Sequence, residues 1–335
     1  MSRWSPEPMS GMPQLRWRDH VRIALTPSGI GLARASRGWN TGFGPSQWIP
    51  VANAAGAHPG AGASGASTDA ATMVEALIRA LAESRWRHAE AQIVLSGAFV
   101  RYTLVPWSAS LSADAERRAY AQLEFESLYG ERARQWVVSL DDAAPGEPAP
   151  ACAIEGALLE GVRVACAGAS LRLTACAPLF ATVVREQRVP LAAPRTALAL
   201  IEGGRLTLGL FTRGHWRLLI NTRPANGAAG AVAAELQQAL AQGVIEATGT
   251  LVVVHGDGRL GAPSADRDAQ WPAQIAGWNV VLRAEPGRPT ASMQWPDAVR
   301  SSDSTSPVRP TAGAVSGMPA VIRRGARAAQ ALARR

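Results

Sequence analysis

A chain of 335 residues with 47% hydrophobic and 18% charged side chains holds apolar material for about two domains and too little charge for a wholly disordered polymer. All 34 of its basic residues are arginine, set against 26 acidic ones for a net charge of +8. Chemistry that needs a lysine amine, such as a phosphate-loop lysine, a Schiff base or a pyridoxal anchor, is therefore excluded. Arginine bias beside 32 Gly and 23 Pro is as much the mark of a GC-rich genome as of a partner, which discounts the charge.

Residues 1–19 lack periodicity and read as a flexible arm. Val21–Leu25 alternates as a strand, Thr26-Pro27-Ser28-Gly29 supplies a turn, Ile30–Arg34 returns as a second strand, and Trp48–Val51 is a third. An Ala/Gly/Ser run over 53–70 is a linker. Met73, Val74, Leu77, Ile78 and Leu81 then fall on one face of a helix. Gln92–Ser96 and Phe99–Val105 read as a hairpin closed by Gly97-Ala98. A helix capped by Ser112 carries Asp114 and Glu116 in its first turn and Gly130 just past its end. Trp136–Leu140 is a strand, 144–150 a Pro/Gly loop, and Ala151–Glu155 extended. Helix Leu158–Ala167, strand Leu171–Ala175 and helix Leu179–Val189 follow. Strands Thr196–Ile201, Arg205–Phe211 and Trp216–Asn221 are joined by Gly203-Gly204 and Arg213-Gly214. Helix Val232–Gln242 and strands Leu251–Val254 and Trp278–Arg283 complete the ordered part. Two stretches, 21–95 and 196–254, thus read as the same strand–strand–strand–helix–strand unit, an internal duplication.

Four stretches carry a family likeness: Val21–Arg34; Ser96–Val105 with Pro106-Trp107 and the helix from Ser112; Gly161–Pro178 running into Leu179–Arg185; and Thr196–Asn221. Over roughly residues 20–285 the chain resembles the type IV pilus assembly PilM family and, more distantly, the cytoplasmic domain of the type II secretion GspL family. The resemblance implies an α/β, actin-like fold of two ribonuclease-H-like βββαβ subdomains facing a cleft. The implied boundaries are a flexible arm over 1–19, a first subdomain over 20–190 with an insertion at about 97–155, a second over 191–285, and a disordered basic tail over 286–335. It also implies pilus or secretion inner-membrane proteins as partners, and a place in the cytoplasm, peripheral to the inner membrane.

An actin-like ATPase needs a carboxylate to organise magnesium and backbone N–H groups to hold phosphate. Here the positions matching the two acids are Ala24 and Ala199, with Glu202 the acid nearby, and Pro27 removes a donor from the first turn. What is left of a nucleotide site is Ser28 and Gly29 in the first turn and Gly256, Asp257 and Gly258 after the last strand of the second unit. The resemblance with these departures points to a non-catalytic scaffold without a required cofactor. A retained ATP and magnesium sensor is the first alternative, and an arginine-driven nucleic-acid binder the second.

Other motifs have plainer readings. Cys152, Cys166 and Cys176 have no CxxC spacing and read as buried free thiols, and the five histidines show no metal-ligand spacing. Gly60–Gly65 matches GxGxxG but lacks a preceding strand. Asp141-Asp142 reads as a solvated strand end, and His255 with Asp257 as too close in sequence for a base and its orienter. No apolar run approaches the ~20 residues of a membrane span, and the first residues lack a signal peptide's apolar stretch. Of 11 tryptophans, Trp136 and Trp216 are expected in the core, and Trp39 and Trp271 in loops as anchors for a protein partner. Partner capture by strand addition is expected at Gly203–Phe211 or the opening hairpin. The tail arginines, Arg323, Arg324, Arg327, Arg334 and Arg335 among them, would reach an acidic partner or anionic headgroups.

Overall fold

The computed structural model describes residues 15–16, 18–36, 38–39, 44, 46–51, 70–111, 113–187, 191–224, 227–246, 248–257 and 271–283. The amino-terminal arm before residue 15, Ser112, the GxGxxG segment, Gly258 and the carboxyl tail lie outside these residues.

β1 (Leu15–Arg16) makes a two-residue antiparallel ladder with β4 (Gly38–Trp39). β2 (His20–Thr26), β3 (Gly29–Ala35) and β5 (Gln47–Pro50) form an antiparallel meander. α1 (Ala70–Ala80) crosses over to β6 (Glu90–Leu95), which runs parallel to β2. The chain then builds a separate antiparallel sheet from β7 (Val100–Val105), β8 (Trp136–Leu140) and β9 (Ala149–Glu155), in the order β7–β9–β8, with α2 (Asp114–Tyr129) packed on it. α3 (Gly156–Gly168) returns to β10 (Arg172–Pro178), parallel to β6, which completes the order β5–β3–β2–β6–β10.

α4 (Leu179–Glu186) leads into the second lobe. There β11 (Thr196–Glu202), β12 (Arg205–Thr212) and β13 (His215–Thr222) form the meander, and α5 (Ala228–Ala241) crosses to β14 (Gly249–His255), parallel to β11. β15 (Gln274–Ile275) and β16 (Trp278–Arg283) close the order β13–β12–β11–β14–β16–β15. Both lobes therefore share one strand order and one pattern of parallel and antiparallel pairs, the duplicated unit of the actin-like plan. The turns that close the second lobe's hairpins place both central residues at positive φ: Gly203 and Gly204 (52° and 68°), Arg213 and Gly214 (54° and 83°), Ala276 and Gly277 (48° and 83°). That backbone twist matches the right-handed twist of the flanking strands.

Packing is layered. On the outer face of the first sheet, Met73 and Leu77 of α1 and Leu158 and Val162 of α3 meet Val21, Ile23, Ile30 and Ile93. The two helices approach so closely that a Cβ on Gly161 would stand 2.3 Å from Val74 Cγ2. On the outer face of the second sheet, Val232, Leu236 and Ala239 of α5 cover Leu206, Leu208, Leu251 and Val253. The inner faces share one layer. Leu179, Phe180 and Val183 of α4 pack on Ala24 and Val94 of the first sheet and on Leu198, Leu200, Phe211, Val252 and Val254 of the second. Every residue of β11 is buried, which is why Ala197 to Ile201 is a continuous apolar run rather than an alternating one.

Several expectations are corrected. Gln92–Ser96 and Phe99–Val105 do not form a hairpin: β6 has β2 on one edge and β10 on the other, so no edge is left for β7, which pairs with β9 instead. Gly203–Phe211 offers no free edge, because β12 is paired on both sides, as is β2; in the opening hairpin β3 meets β5 over Gly29–Leu32, and Ala33–Ala35 pairs with β2 alone. Strand alternation turns Ala199 toward α5, so it is not an inward position; Leu198, Leu200 and Glu202 are the inward ones on β11. Trp136 and Trp216 are half-buried rather than central. Helix α4 is described over Leu179–Glu186, and Val189, its expected end, lies outside the described residues.

Phe180 is 2% exposed and meets Tyr102 edge-on, with ring centroids 6.0 Å apart. Replacing it with alanine is expected to cost about 3–5 kcal/mol, read from urea unfolding. A loss below about 1 kcal/mol would show that the shared layer collapses around the gap.

Candidate functional site at the lobe junction

The first turn of the second lobe, the end of β6 and the end of β14 come together where the lobes meet. Ser96 donates its N–H to Leu25 O at 2.9 Å, which ties the end of β6 to the first hairpin. Gly97 then enters the second lobe. Its N–H donates to Glu202 Oε1 at 2.7 Å, and its carbonyl accepts from Asn221 Nδ2 at 3.1 Å. Asn221 Oδ1 accepts in turn from Arg205 Nη1 at 2.8 Å. A Cβ on Gly97 would stand 2.8 Å from Glu202 Oε1, 3.0 Å from Asn221 Nδ2 and 3.2 Å from Thr207 Oγ1. Only glycine lets the peptide pass that close.

Glu202 is 2% exposed. Burial pushes its carboxyl up to about 7, helped by the Asp257 charge and opposed by the Gly97 N–H, the Ser96 hydroxyl and Arg205. Burial also raises the Tyr102 phenol, with Cys152 and Glu202 acting the same way and Arg205 against. Arg205 is shifted down by burial and by the neighbouring Arg101 and Arg223 charges, with Glu202 opposing.

The expected nucleotide residues fall into two groups. In the first hairpin the Gly29 N–H donates to Thr26 Oγ1 at 3.0 Å, and the Ser28 and Thr26 hydroxyls lie 3.0 Å apart. A Cβ on Gly29 would strike Trp48 Cζ2 at 2.5 Å, so this glycine is required by the approach of β5. At the other group, Gly256 donates its N–H to Ile201 O at 2.7 Å, and Asp257 Oδ1 accepts the Gly203 N–H at 2.9 Å. A Cβ on Gly256 would stand 2.7 Å from Leu179 Cδ2 and 3.1 Å from Leu200 Cδ1. Gly256 and Asp257 thus join Glu202 at the junction, while Ser28 and Gly29 stay in the turn beside it.

These residues do not fit a magnesium-bound triphosphate. The Gly29 and Gly203 donors that would face phosphate are held by Thr26 and Asp257, and Pro27 has no N–H. The inward Ala24 is 3% exposed within the shared apolar layer, and the inward acid Glu202 is held by Gly97. Among the described residues no group of His, Cys, Asp or Glu is placed to hold a metal ion. The thiols are equally unsuited to nucleophilic work, since burial pushes Cys152 and Cys176 up to about 12 and Cys166 to about 11.

Of the expected partner anchors, Trp271 is half-buried against the core of the second lobe, where α5 and β16 pack, rather than displayed on a loop. Trp39 has its backbone in β4, and the five tail arginines lie outside the described residues. Reading the sequence singled out neither Gly97 nor Asn221 for this junction. The available signal was Glu202 itself, a lone acid closing an apolar strand immediately before a Gly-Gly turn.

The architecture and junction define an actin-like protein of two lobes, with α4 packed between them and the hairpin donors held internally. No protein-family model matches the sequence, and no curated protein matches it. Among solved structures, the chain is similar to a Bacteroides thetaiotaomicron protein with an actin-like ATPase fold and unknown function, at 9% identity and a TM-score of 0.47, covering 71% of this chain and 81% of that one. It is also similar to the cytoplasmic domain of EpsL, an inner-membrane component of the type II secretion system of Vibrio cholerae, at 11% identity and a TM-score of 0.46, covering 80% and 90%. A third similar structure is a PilM–PilN type IV pilus biogenesis complex, at 15% identity and a TM-score of 0.45, covering 72% and 82%. Among the described residues no helix is long and apolar enough to cross a membrane.

Gly97→Ala is expected to lower thermal stability by about 1–3 kcal/mol, because Glu202 and Asn221 must retreat from the new methyl group. Gly168→Ala, where nothing lies within 4 Å of the added Cβ, is the control and should be neutral or stabilising by up to about 1 kcal/mol. Equal effects at the two positions would contradict the close fit.

Proposed function

We propose that this chain is a non-catalytic actin-like scaffold that holds partner proteins of a type IV pilus or type II secretion assembly at the cytoplasmic face of the inner membrane. The observation that supports the non-catalytic reading is the engagement of Gly97 by Glu202 and Asn221. It places a peptide of the first lobe against the groups that would otherwise turn toward a ligand. The partner class rests on the four stretches of sequence that resemble the PilM and GspL families.

Capture by strand addition needs an open edge. β15 pairs with Trp278 and Asn279, and just before β15 the Ala273 carbonyl accepts the Val280 N–H at 2.9 Å. Val281 and Leu282 follow at 37% and 55% exposure, and β16 is the edge we assign to an extended partner segment.

Affinity capture with the full chain, from cells expressing pilus or secretion machinery, should recover an inner-membrane component of that machinery. Recovery should fall on Leu282→Arg. Retrieval of no such component overturns the partner assignment. In the same preparation, millimolar ATP with magnesium should leave the melting temperature unchanged; a rise that disappears in Asp257→Asn would establish the nucleotide-sensor alternative instead.

A further inference from the structure

We propose that Glu202 is a proton-operated latch between the lobes: with a proton bound it holds the Gly97 turn of the first lobe in the second, and on losing the proton it favours release. This is independent of the partner assignment above. The geometry is that of a buried switch. The carboxyl sits at the end of β11, and its Oε1 takes the Gly97 N–H from across the junction. Its second oxygen, Oε2, is buried without a hydrogen bond of ordinary geometry, as are Thr207 Oγ1 on β12 and the Tyr102 hydroxyl on β7. An ionised carboxyl would bury its charge here, at 2% exposure and with Oε2 unpartnered, whereas the neutral form has no charge to desolvate.

The surrounding charges favour the neutral form once burial is counted. Facing Glu202 are Ser96 and Gly97 after β6, Tyr102 of β7, Arg205 and Thr207 of β12, Asn221 of β13 and Asp257 after β14. Arg205 is the cation of this set, and its guanidinium is engaged by Asn221. Asp257 adds a second negative charge, which opposes ionisation. His255 lies opposite Ile201 in the β11–β14 register, on the α5 side of the sheet. In the docked state the carboxyl titrates at about 7, against 4.5 for the ordinary group that water would hydrate on opening. The docked lobes therefore bind the proton more tightly than opened ones. The latch contribution is complete below about 4.5, declines as pH rises, and is lost above about 7.

The test is amide hydrogen exchange of the full-length protein, following Gly97 with Leu208 under α5 as reference, and correcting for the intrinsic exchange rate. Between about 4.5 and about 7 the opening constant at Gly97 should rise by up to about tenfold per pH unit and then level off. Leu208 should not follow it, and Glu202→Gln should remove the slope at Gly97. A slope shared by the wild-type and the Gln variant, or by Gly97 and Leu208, overturns the latch. Should the Gln variant fail to fold, a carboxyl-carbon NMR titration of Glu202 in the wild-type chain decides: a midpoint near 7 supports the latch, and one near 4.5 refutes it.

Discussion

The central sheet of each lobe is covered by apolar layers on both faces, and that constraint organises the rest. An outer helix layer, α1 and α3 on one sheet and α5 on the other, covers half of the problem. The inner faces remain, and strands as apolar as Ala197–Ile201 cannot leave them in water. The eight-residue helix α4 is too short to cover two sheets separately. It therefore sits between them, with Leu179, Phe180 and Val183 contacting both. The shared layer around α4 thus ties the two sheets together.

At the rim of this layer, apolar packing gives way to polar contact. The groups there are backbone amides at hairpin turns and strand ends, and each must find a partner once buried. The first hairpin solves this locally, with the Thr26 hydroxyl taking the Gly29 N–H. The second solves it by reaching forward to Asp257. Gly97 belongs to neither hairpin and takes its partners, Glu202 and Asn221, from the opposite lobe.

Much of the fold was legible because it is periodic. The meanders show in alternation, the duplication in the recurrence of strands and helix, and α1 in the spacing of Met73, Leu77 and Leu81. The hairpin expected at Gly97-Ala98 failed for a specific reason: local turn chemistry is satisfied equally by a chain that leaves its sheet. Two facts about other parts of the chain decided it, the occupation of both edges of β6 and an acceptor 105 residues away. The placement of an acid at Ala199 failed through register, since a one-residue step along a strand exchanges its faces. Trp271 was misjudged because a residue in a loop can still turn its ring into the core it borders.

The two lobes share one plan and differ at their turns, and both acids of the junction, Glu202 and Asp257, come from the second. In the first lobe, Thr26-Pro27 replaces a donor-rich turn with one that satisfies itself, and the inward Ala24 carries no charge. The second keeps the glycine turn and an inward acid, Glu202, with Arg205 across the β11–β12 turn. Were an acid present on both sides, two carboxylates would face each other across an apolar layer, and one would have to be neutralised by a cation or a shared proton. With the acid on one side, the opposite lobe answers with a backbone N–H, which favours the carboxylate and so opposes the effect of burial. The charge state of Glu202 is then set by the cost of burying that charge against the hydrogen bonds it accepts.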